Sequence, residues 1–107
     1  MGSEYLQVLT TAGSEEEAGA IAAALIERRL AACVQIAGPV TSIYRWQGEI
    51  ENAQEWHCLA KTAASHWDAV EAAIRAAHSY DEPEIIATPI ATGSAGYLRW
   101  IDESLAD

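Results

Sequence analysis

Three features of the 107-residue sequence predict an α+β fold of the order strand-helix-strand, strand-helix-strand. Two internal segments repeat apolar residues at helical spacing, four others have β-forming composition, and Gln47-Gly48 lies between the halves where it can fold one long strand back on another. The length is that of a common domain, so residues 1–107 are read as a single domain around one core. An apolar fraction of 50% with 21% charged residues is enough to build that core and argues against a disordered tail or a coiled coil.

Tyr5 to Thr11 is rich in β-formers and stops before Ala12-Gly13, which gives a first strand closed by a turn. Ser14 followed by Glu17 has the form of a capping box, and Glu15 to Glu17 place negative charge where a helix N-terminus favours it. The helix that starts there presents Ala18, Ile21, Ala22 and Leu25 to the core and ends near Arg29. From Leu30 the pattern is strand-like, breaks at Gly38-Pro39 and resumes from Val40 to Trp46. Proline cannot donate to a ladder, so the break reads as a bulge or bend inside one long strand. Gly48 takes the second central position of the turn Trp46-Gln47-Gly48-Glu49, where φ must be positive, and the return strand runs from about Ile50 to Thr62. Ser65 with Asp68 forms a second capping signature, ahead of a helix whose apolar face is Trp67, Val70, Ile74 and Ala77. Glu84 to Ala91 is the last strand, with Pro89 marking an edge or bulge, and Gly93-Ser94 opens a C-terminal helix carrying Tyr97, Leu98, Ile101 and Leu105.

Right-handed crossovers in both halves interleave the strands into a four-stranded antiparallel sheet with both helices on one face, the ferredoxin-like arrangement. One sheet face and the edges of the long hairpin are left uncovered. Closed cyclic pairing covers such edges economically, so a ring-like homo-oligomer is expected. Trp46, at the hairpin tip, has no core of its own to enter, and a neighbouring subunit is its expected burial site, with Tyr44 alternating onto the same face. Trp67 and Trp100, at helical spacing, are assigned to the core.

A net charge of −10 repels phosphate backbones and anionic lipid, so neither nucleic acid nor membrane is an expected partner, whereas cations are drawn to such a surface. The start, Met-Gly-Ser-Glu-Tyr, lacks the basic and apolar regions of a secretory signal, and Leu6 fails the sixth-position requirement for acylation of Gly2. A cytoplasmic location is expected. Cys33 and Cys58, inside apolar segments and with no second Cys or His at the short spacing of a zinc knuckle, read as buried reduced thiols.

No Gly-x-Ser-x-Gly elbow, phosphate-binding glycine loop or Cys-x-x-Cys pair is present, so no enzymatic activity is expected. His78, Tyr80, Asp81, Glu82 and Glu84 gather in the loop before the last strand, and imidazole with carboxylates can ligate copper, zinc or a similar ion. The alternative is that His78 caps its helix while the acids face solvent. Lys61, the only lysine, shares a strand face with His57 by period-two counting, a mixture that suits a subunit interface better than a dry core.

Several segments together resemble the CutA divalent-cation tolerance family: Val8 to Ala12, Leu30 to Val34, Thr41 to Gly48, Lys61-Thr62, His78-Ser79-Tyr80 with Pro83-Glu84-Ile85, and Tyr97-Leu98. They stand in the family's order and spacing and span nearly the whole chain. The resemblance implies a ferredoxin-like subunit in a homotrimer whose long hairpin strands pair with those of neighbours, and a link to Cu(II) and other divalent cations. It also implies a copper site formed by a first-strand cysteine at the position of Thr10 and paired histidines at those of Ala77 and His78, of which only His78 is present here. The family's His-Pro-Tyr is His-Ser-Tyr in this chain, which frees φ at Ser79. Because the trimer would bring Lys61, Tyr80 and Glu84 to a subunit boundary, the alternative is a small-ligand or anion pocket resembling those of PII signalling proteins, with these three as ligand-binding residues.

Overall fold

A computed structural model describes residues 4–106, so the readings made on Met1 to Ser3 lie outside the described residues. The elements follow the expected order: β1 (Tyr5–Ala12), α1 (Glu15–Glu27), β2 (Cys33–Trp46), β3 (Glu49–Ala63), a 3-10 turn at Ala64–His66, α2 (Trp67–Ala77), β4 (Ile85–Pro89) and α3 (Ala95–Leu105). All pairings are antiparallel and the sheet order is β2-β3-β1-β4, the ferredoxin-like interleaving. Among the described residues no helix is long and apolar enough to cross a membrane.

Alternation decides what each sheet face carries. Val8, Ala12, Cys58 and Ala60 are buried on one face beneath Ala18, Ile21 and Leu25 of α1 and Val70, Ala73 and Ile74 of α2. The other face shows three cross-strand rows: Cys33, Lys61, Gln7 and Thr88; then Gln35, Leu59, Leu9 and Ile86; then Ala37, His57 and Thr11. An apolar row thus lies between polar ones. α3 packs at the end of the sheet where β1 begins, tied by the Tyr5 hydroxyl donating to Asp102 Oδ2 at 2.6 Å and by Arg29 Nη1 donating to the Ser104 carbonyl at 3.2 Å.

α1 ends near Arg29 as expected, while some later details differ from expectation. α1 stops at Glu27 because Arg29 turns left-handed (φ 55°), and the Leu30 and Arg29 N–H groups close back on Leu25 and Ile26, a Schellman ending with arginine where glycine is usual. Ser65 does not cap α2; it lies in the 3-10 turn and its hydroxyl meets His66 Nδ1 at 3.2 Å. Trp67 packs half-buried against the core as expected, but Trp100 is 42% exposed, because it sits on the outward side of α3 beside Tyr97 while Ile101 and Leu105 turn inward. Cys58 is buried, whereas Cys33, on the open face of an edge strand, is only half-buried.

β2 and β3 outrun the rest of the sheet. β1 ends with Ala12 opposite Trp56, so Val40–Trp46 and Glu49–Glu55 continue as a two-stranded arm about 23 Å long at 3.3 Å per residue. Its tip has positive φ at both Gln47 (49°) and Gly48 (83°), a type I′ turn whose twist matches the flanking strands. Its base is the expected bulge, which interrupts the ladder between Ala37 and Val40. There Gly38 lies under the Trp56 indole: a Cβ would stand 2.7 Å from Trp56 Cδ1 and 3.0 Å from the Glu55 carbonyl oxygen. Gly38→Ala therefore forces backbone or indole to move and should destabilise by about 1–3 kcal/mol, read as a lowered urea midpoint at fixed protein concentration.

Candidate functional site

The polar chemistry concentrates where β1 ends, α1 begins and α2 runs into the loop before β4. Ser14, in extended backbone, caps α1 by accepting the Glu17 N–H at 3.1 Å. In a simple capping box Glu17 would reach back to Ser14. Its carboxylate instead takes the Gly13 N–H on Oε1 at 3.3 Å and the Ser79 N–H on Oε2 at 2.7 Å, joining the helix start to a loop 62 residues later.

His78 follows α2 with extended backbone, and its side chain is fully buried. Nε2 lies 2.6 Å from the Thr11 carbonyl oxygen, which can only accept, so Nε2 carries the proton; Nδ1 accepts the Tyr80 N–H at 3.1 Å. Glu17 Oε2 stands 3.7 Å from Nδ1. The Tyr80 ring tilts against the imidazole with centroids 4.7 Å apart, and its hydroxyl donates to Glu55 Oε2 at 3.0 Å. The result is a continuous polar bracket from α1 through the loop to the base of the arm.

The charges follow this geometry. Burial pushes the Glu17 carboxyl upward, but the hydrogen bonds from Ser79 and Gly13 outweigh it, leaving the group below its ordinary value. Burial, then the bond to Glu55 and the Glu55, Glu17 and Tyr44 charges, push the Tyr80 phenol up to about 12, so it stays a donor. Burial and Glu17 push the Cys58 thiol up to about 11, and its Sγ lies 3.5 Å from the Ala18 carbonyl. It is not poised as a thiolate ligand.

The sequence-predicted residues are only partly brought together. His78 and Tyr80 pack ring on ring and are both held by the bracket; Glu84 is exposed, one residue before the Ile85–Thr10 pairing. Lys61 pairs with Gln7, three residues down β1 from Thr10 and thus about 10 Å along the strand, and donates to Gln35 Oε1 at 2.6 Å. A pocket using Lys61 with Tyr80 therefore needs a second subunit. Both nitrogens of His78 are engaged, and among the described residues no three His, Cys, Asp or Glu side chains are grouped to hold a metal ion. Thr10 faces the core opposite Cys58 with a buried hydroxyl that has no partner among the described residues. Tyr44 and Trp46 are exposed on one face of the arm beside Glu51 and Glu49, while the other face exposes Ile43 (72%) and Ile50 (63%). Sequence reading missed these two isoleucines, although their alternation with Tyr44 and Trp46 signals an arm apolar on both sides. It also missed the bracket roles of Glu17 and Glu55, for which local spacing carries no signal.

Residues 6–104 match the family described as CutA1 divalent ion tolerance protein. The divalent-cation tolerance protein CutA of Thermus thermophilus is 50% identical over 97 residues, covering 91% of this chain and 94% of that protein. The human protein CutA is 40% identical over 100 residues, 91% of this chain but only 56% of the longer human protein. Among solved structures, CutA from Xylella fastidiosa superposes with a TM-score of 0.94 at 38% identity, covering 97% of this chain and all of that one. A protein of Archaeoglobus fulgidus described as periplasmic divalent cation tolerance protein CutA gives 0.93 at 41% identity, covering 95% of this chain and 99% of that one.

Because the Glu17 carboxyl is depressed in the fold, its contribution is present above the unfolded value near 4.5 and is lost as pH falls through the lower folded value. Glu17→Gln should therefore be less stable than wild type at pH 7, with the difference shrinking below about pH 4.5, in urea unfolding at several pH values.

Proposed function

Since the chain belongs to the CutA1 divalent ion tolerance family, we propose that it is a non-enzymatic cytoplasmic protein serving divalent-cation tolerance as a homotrimer, with Cu(II) the first cation to test. One observation carries the assembly: the arm exposes Ile43 and Ile50 on one face and Tyr44 and Trp46 on the other. A lone two-stranded ribbon is marginally stable in water, and an apolar ribbon on both sides needs protein against both. Each subunit also offers free edges on β2 and β4 and an open sheet face with Leu9, Leu59 and Ile86 in its central row. An arm and a complementary face on every copy make a head-to-tail contact, which a three-fold ring closes.

The cation role is supported by the family and by the net charge of −10, which concentrates cations within the screening length of about 8 Å. The proposed ligand is His78, one imidazole per subunit, and engaging it at Nδ1 means giving up the Tyr80 N–H bond.

Sedimentation equilibrium tests the assembly. Wild type should be trimeric at micromolar concentration and Trp46→Ala should weaken association by about 2 kcal/mol per interface, as for a buried aromatic anchor; a monomeric wild type would overturn the reading. For the cation, calorimetric titration of Cu(II) at pH 7, at a protein concentration where wild type and variant both sediment as trimers, should give heat that His78→Ala abolishes. Identical isotherms would remove His78 as the ligand.

A further inference from the structure

At the base of the arm the Tyr80 hydroxyl joins the loop before β4 to β3. Beyond Trp56 the arm has no third strand beside it, and the bulge between Ala37 and Val40 removes ladder bonds at the point where it leaves the sheet. A ribbon leaving a sheet at a bulge can bend and twist there. Among the contacts that limit that freedom are the Trp56 indole on Gly38, which belongs to the arm strands themselves, and the Tyr80 hydroxyl on Glu55, which comes from outside them. Glu55 is the first residue of β3 past the end of β1, and it is buried there although the rest of the arm is largely exposed.

We infer that Tyr80 is a positioning residue for assembly, its hydroxyl holding Glu55 and so setting the pitch at which the arm meets a second copy of the chain. The inference rests on the homotrimer reading. Tyr80 is suited to this because it is itself held: its N–H is bound by His78 Nδ1, its ring lies on the imidazole, His78 is fixed to Thr11, and the Ser79 N–H is fixed to Glu17. The hydroxyl also lies against Gly13, where an added Cβ would stand 3.1 Å from it. Leverage makes one bond matter. Over an arm of about 23 Å, a swing of roughly 10° at the base displaces the tip by about 4 Å, whereas close-packed side chains lose much of their contact energy at a gap of about 1 Å. The bracket loop and the docking of the arm are thereby one mechanical unit, and whatever loosens the loop should loosen the assembly.

The test uses the full chain with four variants: Tyr80→Phe, which removes the donor; Gly13→Ala, which displaces the hydroxyl without touching the arm; Glu55→Gln, which keeps an acceptor oxygen; and the Tyr80→Phe/Glu55→Gln pair. Sedimentation should show Tyr80→Phe and Gly13→Ala raising the trimer dissociation constant at least about 10-fold, Glu55→Gln staying near wild type, and the double variant no worse than Tyr80→Phe. Residual dipolar couplings should shift for arm amides 40–55 in the first two variants and stay fixed for β1 and α1, a pattern that general destabilisation does not produce. A trimeric wild type with unchanged dissociation and unchanged arm couplings in Tyr80→Phe overturns the inference alone. A monomeric wild type overturns the trimer reading and this inference with it.

Discussion

The mismatch in strand length is the constraint on which the rest of the molecule depends. β3 has 15 residues and β1 only 8, and their register spends all of β1 on Trp56 to Ala63. Every residue from Glu49 to Glu55 then has one strand neighbour instead of two. That deprives the arm of a core, and its apolar side chains stay exposed on both faces until another surface covers them. The same mismatch creates a weak junction, since bending is resisted only by β2 and by whatever the rest of the subunit brings against the arm's base. The bulge at Gly38, the indole over it and the phenol on Glu55 are all found at that junction.

Glu17 links this junction to the helical layer. It supplies a cap-like contact at the start of α1 and binds the Ser79 N–H, so the order of the loop depends on a helix far away in sequence. Lowering of its carboxyl despite burial means that the surrounding donors favour the anion more than desolvation disfavours it. An anion beside His78 and facing the region of Tyr80 also raises the phenol, which keeps the proton that the bond to Glu55 requires. In a chain of charge −10 this carboxylate is well paired, and its use is structural, whereas most of the other acids lie in solvent.

The fold was legible because its signals are local. Helical spacing marked the buried faces of α1 and α2, Gln47-Gly48 marked the turn, and Gly38-Pro39 marked the bulge. Local signals failed where a non-local partner decided the outcome. Ser65 and Asp68 satisfy a capping pattern, but the chain enters α2 through a 3-10 turn and the hydroxyl finds His66 instead. Trp100 has the spacing of a core residue on a helix that buries only its Ile101 and Leu105 side. The candidate site shows the same division. His78 and Tyr80, neighbours in sequence, could be grouped by reading; Glu17 and Glu55 could not, because the turn of the chain that brings them there is tertiary. Lys61 meets Tyr80 only in the expected assembly, and within one subunit the sheet register keeps them apart.

In His78 a structural role would compete with the proposed ligand role. Buried and doubly hydrogen-bonded, the imidazole leaves an N–H or a carbonyl unsatisfied if either bond is given up, at a cost of about 1–3 kcal/mol for each group left buried. Nε2 is the harder nitrogen to release, since its partner is the Thr11 carbonyl inside the sheet, while Nδ1 faces the Tyr80 N–H in an exposed loop. A cation that took Nδ1 would therefore act first on the backbone of Tyr80, the residue whose hydroxyl meets the arm. Under the proposed function, binding at the imidazole and docking of the arm would be coupled through a single residue, and the coupling would be reciprocal: an assembled arm that held Tyr80 in place would also hold its N–H on Nδ1 and oppose the cation.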